Sequence, residues 1–152
     1  MFEIVFSKSD LQKLDETISR YISTKMVPSL SSLLNEEIEF SSIKTSELSF
    51  ENMSEIIPHT EYDERDVGVY VTCEGEIKFG ILFHLILTDA KKLASKLLGS
   101  EEPESLSMDG KSAVAEIGNI LAASFFNTVN AETGMQMMST VPGLAIDSAT
   151  TL

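Results

Sequence analysis

Apolar residues recur along this chain with two periods, and the change between them marks out the elements. From Ser9 to about Met26 they fall at Leu11, Leu14, Ile18, Ile22 and Met26, three and four apart. That spacing predicts a long amphipathic helix with Ser7 or Ser9 as its N-cap. Pro28 removes a backbone donor and should kink or restart the helix before Ser29 to Leu34, with Asn35 as its stop. Short extended segments are expected near Ile38 to Ile43 and Glu47 to Phe50, and the acidic stretch Glu61 to Asp66 reads as a solvated loop. Val67 to Thr72 and Ile77 to Leu87, separated by Glu74-Gly75, predict a hairpin. Its second strand is apolar on both faces, which suits the middle of a sheet covered on both sides. Thr88 is placed to cap a helix through Leu98, which Gly99 ends, and Ser100 to Ser107 is an acidic loop containing Pro103. A second long helix starts near Ser107 or Met108 and runs to about Val129, with Asp109 complementing its dipole. A strand from Met135 to Val141 leads to Pro142, and Leu144, Ile146 and Asp147 begin another element.

The expectation is an α+β domain, an antiparallel sheet with two long amphipathic helices. Sliding the second helix back by 99 residues sets Ile117 on Ile18, Leu121 on Ile22 and Phe125 on Met26, which suggests a pseudo-twofold arrangement. With 152 residues, 43% of them apolar, one domain spanning residues 1–152 is the default.

Charge and cysteine content narrow the function. The net charge of -13, from 24 acidic and 11 basic residues, repels phosphate backbones and anionic lipid, so neither nucleic acid nor a membrane surface is an expected partner. Cys73 is the single cysteine, which rules out an internal disulfide and a cysteine-cluster metal site. The N-terminal stretch Met1 to Phe6 carries an acid too early for a signal peptide, and the apolar run Phe79 to Leu87 is too short to span a bilayer. A reducing, cytoplasmic setting is expected.

The chemistry concentrates on the second helix. At about 100° per residue, positions 112, 116, 119 and 123 share a stripe roughly 60° wide, while Val114, Ile117, Leu121 and Phe125 lie opposite. Ser112, Glu116 and Asn119 are thus displayed on the outer face. No histidine, cysteine or second carboxylate joins that stripe, so neither a nucleophile nor a proton-sharing pair is indicated. A carboxylate and a carboxamide one turn apart suit docking a partner and orienting a water. The small residues Ala115, Gly118, Ala122 and Ala123 are expected to leave room for that partner.

Ser112-x3-Glu116-x2-Asn119, followed after twenty-two residues by Pro142, resembles the motif of the CheC family of chemotaxis phosphatases, which includes CheX and the phosphatase part of FliY. The flanking runs Ala115-Glu116-Ile117-Gly118-Asn119-Ile120 and Val141-Pro142-Gly143-Leu144-Ala145-Ile146-Asp147 are similar to the family's wording, and Gly75 to Gly99 more faintly so. The resemblance implies a pseudo-twofold CheC-like domain that hydrolyses the aspartyl phosphate of a CheY-type response regulator. Asn119 would orient the attacking water and Glu116 would dock on a lysine of the regulator. It implies no cofactor of this chain's own, with Mg2+ held by the partner receiver domain.

Two departures from the family pattern shape the alternatives. CheC commonly carries two motifs, but the first helix here offers only Thr17 or Glu16 followed by Arg20 or Ser19, so one site is expected, as in CheX. Family members also continue past the Pro142 segment, whereas this sequence ends at Leu152, which leaves a partner-completed, smaller or shortened sheet. A non-catalytic module that binds a CheD-like deamidase or the flagellar switch is the alternative, and an open sheet edge would permit a homodimer. Pro142 is expected to shape the strand edge rather than touch substrate. His84 reads as a satisfied sheet histidine, His59 as a loop residue, Cys73 as a small buried apolar residue. Met135 and Met137 read as packed strand positions rather than a binding surface.

Overall fold

The computed structural model describes residues 7–41, 52, 65–76 and 78–147, and its chain falls into two compact units, residues 1–53 and 54–152. The expected strand Glu47 to Phe50, the end of the segment Ile38 to Ile43, His59 and most of the acidic stretch after Glu61 lie outside the described residues.

In the first unit, α1 (Lys8–Tyr21) opens on Ser7. The Ser7 Oγ accepts from the Asp10 N–H at 3.2 Å and the Asp10 carboxylate accepts from the Ser7 N–H at 3.0 Å, a reciprocal cap. The Ser7 hydroxyl also donates to the Asp10 carboxylate at 2.6 Å, and this bond, with the one from the Ser7 N–H, holds the Asp10 carboxyl below its ordinary range. At Pro28 the helix does not break. The chain winds one π-helical turn, Ile22–Met26, and resumes as α2 (Val27–Leu34). Pro28 offers no N–H to the turn before it, while the Ser23 and Thr24 hydroxyls donate back to Ser19 and Arg20 carbonyls at 2.9 and 2.6 Å, and both effects loosen regular winding. Asn35 stops α2 in the left-handed region at φ 52°, as expected.

The described residues of the second unit form an antiparallel four-stranded sheet with two helices. Strand β1 (Asp66–Gly75) pairs along its length with β2 (Phe79–Ile86). Its other edge is shared by β3 (Met137–Ser139), which lies against Cys73 to Gly75, and β4 (Gly143–Asp147), which lies against Asp66 to Tyr70. Among the described strands the central one is therefore β1, not β2 as the apolar run suggested. Asp66, expected in a solvated loop, is instead the first residue of β1 and only 2% exposed.

Alternation explains the break between β3 and β4. On β1 the odd-numbered Val67, Val69, Val71 and Cys73 form the buried face. Met137 joins that face from an odd position, yet Leu144 and Ile146 join it from even ones. The two sets share a face only if one residue is inserted between them. Ser139 stands opposite Cys73 and Gly143 opposite Tyr70, so Thr140, Val141 and Pro142 face just two residues of β1. This is a β-bulge, and Pro142 sits where the ladder has no need of its missing N–H. Thr140 pins the bulge by donating its N–H to the Thr72 carbonyl at 2.9 Å and accepting the Thr72 N–H on its hydroxyl at 3.2 Å. Val141 is thrown outward, 91% exposed.

Helix α3 (Leu87–Leu98) follows β2 without a loop, with Ile86 as its extended N-cap and Gly99 as its end. Thr88, expected to cap it, is already inside it. Helix α4 (Met108–Thr133) starts at Ser107, whose Oγ accepts the Gly110 N–H at 2.9 Å, and ends at Gly134 with φ 75°, one turn beyond the expected Val129. Ala90 and Ala94 of α3, and Val114, Ala122 and Phe126 of α4, close the core over the valine face of β1.

Candidate functional site

Three features fix the position of α4. At its start, the Glu102 carboxylate accepts the Ser107 N–H at 2.7 Å and the Ser107 hydroxyl at 2.9 Å, while the Glu102 N–H donates to Ser95 Oγ on α3 at 3.0 Å. Toward its end, Phe125 and Phe126 make edge contacts with each other and with Phe79 of β2, with ring centroids 5.4–6.1 Å apart. At mid-helix, Gly118 is buried on β1. A Cβ built on Gly118 would lie 2.6 Å from Val69 Cγ1 and 3.3 Å from Phe83 Cδ2, so the helix crosses the sheet at a separation only glycine permits.

The expectation for the small residues is corrected here. Gly118 and Ala122 lie against the sheet and are buried, so they bring α4 close to β1 rather than make room for a partner. They also widen the buried arc beyond the predicted side, since Val114, Ile117, Gly118, Leu121, Ala122 and Phe126 are all buried. A four-residue row, Val114, Gly118, Ala122 and Phe126, carries the signal that would have located Gly118 from sequence.

In the middle of α4, between its exposed ends, what remains exposed is narrow. Ser112 and Glu116 are exposed, Asn119 and Ala123 half-buried, and Ile120 is 41% exposed. The Ser112 hydroxyl is committed, donating to the Met108 carbonyl at 3.0 Å. Among the described residues, neither the Glu116 carboxylate nor the Asn119 carboxamide has a side-chain hydrogen bond or ion pair within the chain. Asn119 keeps both carboxamide hydrogens and its oxygen available, and Glu116 keeps its charge unneutralised. Pro142 is on a different element, in the bulge beside β1, just ahead of Leu144 and Ile146, which pack against the core.

The other ionisable candidates resolve into structural positions. His84 Nε2 lies 2.8 Å from Asp66 Oδ1, with side-chain exposures of 18% and 3%, which accounts for both the sheet histidine and the buried acid. Cys73 is buried at 2% exposure in the core. Met135 and Met137 pack against that core, while Gln136 between them and Met138 after them are exposed, Met138 by 73%, the alternation expected of a strand. Among the described residues no three His, Cys, Asp or Glu side chains gather as a metal centre requires, and no helix is long and apolar enough to cross a membrane.

Known structures share this architecture. FliY from Thermotoga maritima aligns over 97% of this chain and 73% of its own, with a TM-score of 0.76 and 18% identity. The chain has the CheC-like fold. A chemotaxis protein CheX from Desulfovibrio desulfuricans aligns over 87% of this chain and 79% of its own, with a TM-score of 0.60 and 17% identity. A CheC-like superfamily protein from Shewanella sp. PV-4 aligns over 86% and 76%, also with a TM-score of 0.60 and 17% identity. No protein-family model matches the sequence, and no curated protein matches it significantly. The CheC-like fold is thus shared at 17–18% identity, and it is the fold implied by the resemblance that Ser112, Glu116, Asn119 and Pro142 carry.

Proposed function

We propose that this protein accelerates hydrolysis of the aspartyl phosphate on a CheY-type response regulator in chemotaxis signalling. The observation that carries the proposal is the pair Glu116 and Asn119, displayed on one narrow stripe of α4 with no intramolecular partner among the described residues. The shared fold with FliY, CheX and a CheC-like protein supports it.

An acyl phosphate is already activated, and its carboxylate is a good leaving group. What a partner protein has to add is position. Glu116, charged and exposed, docks on a lysine of the regulator. Asn119 then holds a water through its carboxamide, in line with the bond between phosphorus and the aspartyl oxygen. Attack by that water forms the new P–O bond as the aspartyl P–O bond breaks, releasing inorganic phosphate and a free aspartate. Mg2+ belongs to the receiver domain in this scheme, and the chain described here supplies docking and water placement.

The test is the decay of the phosphorylated regulator with and without this protein, alongside Asn119→Ala. Faster decay abolished by the substitution supports the proposal. A stable complex without faster decay would move the assignment to a non-catalytic module, whose binding to a CheD-like deamidase or the flagellar switch would then be measured.

A further inference from the structure

We infer that Gly118 and Val69 form a positioning contact that sets where Asn119 stands, an inference that rests on the reading of Glu116 and Asn119 given above. Gly118 immediately precedes Asn119 and lies two residues after Glu116. It is buried where α4 crosses β1, and a methyl group placed on it would approach Val69 Cγ1 to 2.6 Å and Val69 Cβ to 3.2 Å, against an ordinary contact of at least 3.4 Å.

Val69 cannot give way. It is fully buried, on the central strand, with Phe83 of β2 opposite it on one side and Leu144 of β4 on the other. The strain of any added atom therefore falls on α4, which must lift or roll by roughly 1 Å to restore contact distance. The helix is held near both ends, by Glu102 and Ser107 and by the three phenylalanines, so the displacement concentrates at mid-helix. Asn119 moves with it.

The two functional side chains respond differently to that shift. A carboxamide that must place a water in line loses on the order of 10²-fold in rate for a displacement of about 1 Å. A carboxylate that attracts a lysine from the end of a flexible stem tolerates the same displacement. Gly118→Ala is therefore expected to lower kcat on the order of 10²-fold while KM stays within about threefold. A role confined to stability would move the melting temperature and leave kcat of the folded protein unchanged.

The experiment is a steady-state comparison on the phosphorylated regulator, each variant first shown folded by its melting curve. It uses the unsubstituted protein, Gly118→Ala, Val69→Ile, and the double variant Gly118→Ala with Val69→Ala. Removing the Val69 methyls from the Gly118→Ala background should restore most of kcat. Val69→Ile fills the same crossing from the sheet side, with the sequence of α4 unchanged, and should lower kcat with KM kept. An unchanged kcat in folded Gly118→Ala overturns the contact while leaving the roles of Glu116 and Asn119 intact. If Gly118→Ala does not fold, an unchanged kcat in folded Val69→Ile overturns it equally. No acceleration by the unsubstituted protein overturns the underlying reading and the contact together.

Discussion

Deleting Val141 removes a side chain that is 91% exposed and contributes nothing to the core, yet it should destabilise the protein more than most substitutions of exposed residues. The reason is register. With three residues facing two, the bulge lets odd positions of β3 and even positions of β4 meet the same buried face; with one removed, only one strand can stay in phase. Either β4 slips and turns Leu144 and Ile146 outward, or β3 slips and turns out Met137, which is 8% exposed. A fully buried side chain of this size is worth about 1.5–3 kcal/mol, so two half-buried ones or one buried one amount to about 2–3 kcal/mol in either case. Val141→Ser keeps the residue count and should cost within about 0.5 kcal/mol. Urea titrations of the two variants against the parent check this directly, the deletion lowering the midpoint with m little changed. A deletion variant with the same midpoint as Val141→Ser would refute the register argument and with it the structural account of Pro142.

Other expectations follow from individual contacts. His84→Ala removes the hydrogen-bond partner of a side chain that is 3% exposed and should cost about 1–3 kcal/mol in denaturant unfolding; a loss below about 0.5 kcal/mol would show that Asp66 does not depend on it. Ser7→Ala should raise the Asp10 pKa toward the ordinary carboxyl value, followed by NMR titration. Because the folded value is depressed, the cap's contribution is present above the unfolded-state pKa and is lost as pH falls through the folded one. The substitution keeps the backbone N–H of residue 7 and should reduce that acid dependence at the α1 N-terminus. Glu116→Gln should raise KM for the phosphorylated regulator on the order of tenfold at low salt, with the difference narrowing as salt screens it; a salt-independent KM would argue against a lysine partner.

The parts of the fold legible in the sequence are those decided locally. Ser7 and Asn35 bound the first helix because capping chemistry acts within one turn. Ser107 and Gly134 bound α4 in the same way, but its last turn, Asn130 to Thr133, has no apolar periodicity and so gave no sign that the helix continues. Thr88 is a good capping residue in isolation. The backbone at Ile86 stays extended (φ -71°, ψ 149°), and the strand hands directly to the helix two residues earlier. What depended on pairing across the chain was hidden. The burial of Asp66 is decided by His84, eighteen residues away, and the central place of β1 by β3 and β4, some seventy residues on. The outward face of Ser112 and Glu116 was readable from the 100° rotation alone, though Asn119 on the same stripe is half-buried. The seat of the helix on the sheet at Gly118 was missed, because a glycine beside a polar stripe taken alone looks the same whether it faces a partner or a strand, and only its place in the row Val114, Gly118, Ala122 and Phe126 separates the two.

The most direct test of the central claim is the decay rate of the phosphorylated CheY-type regulator in the presence of the unsubstituted protein and of Asn119→Ala, at matched and saturating concentration. The account predicts clear acceleration by the first and a loss on the order of 10²-fold in the second, about 2.7 kcal/mol of transition-state stabilisation, with binding retained. Unaccelerated decay within a demonstrated complex, or full acceleration by Asn119→Ala, would contradict it.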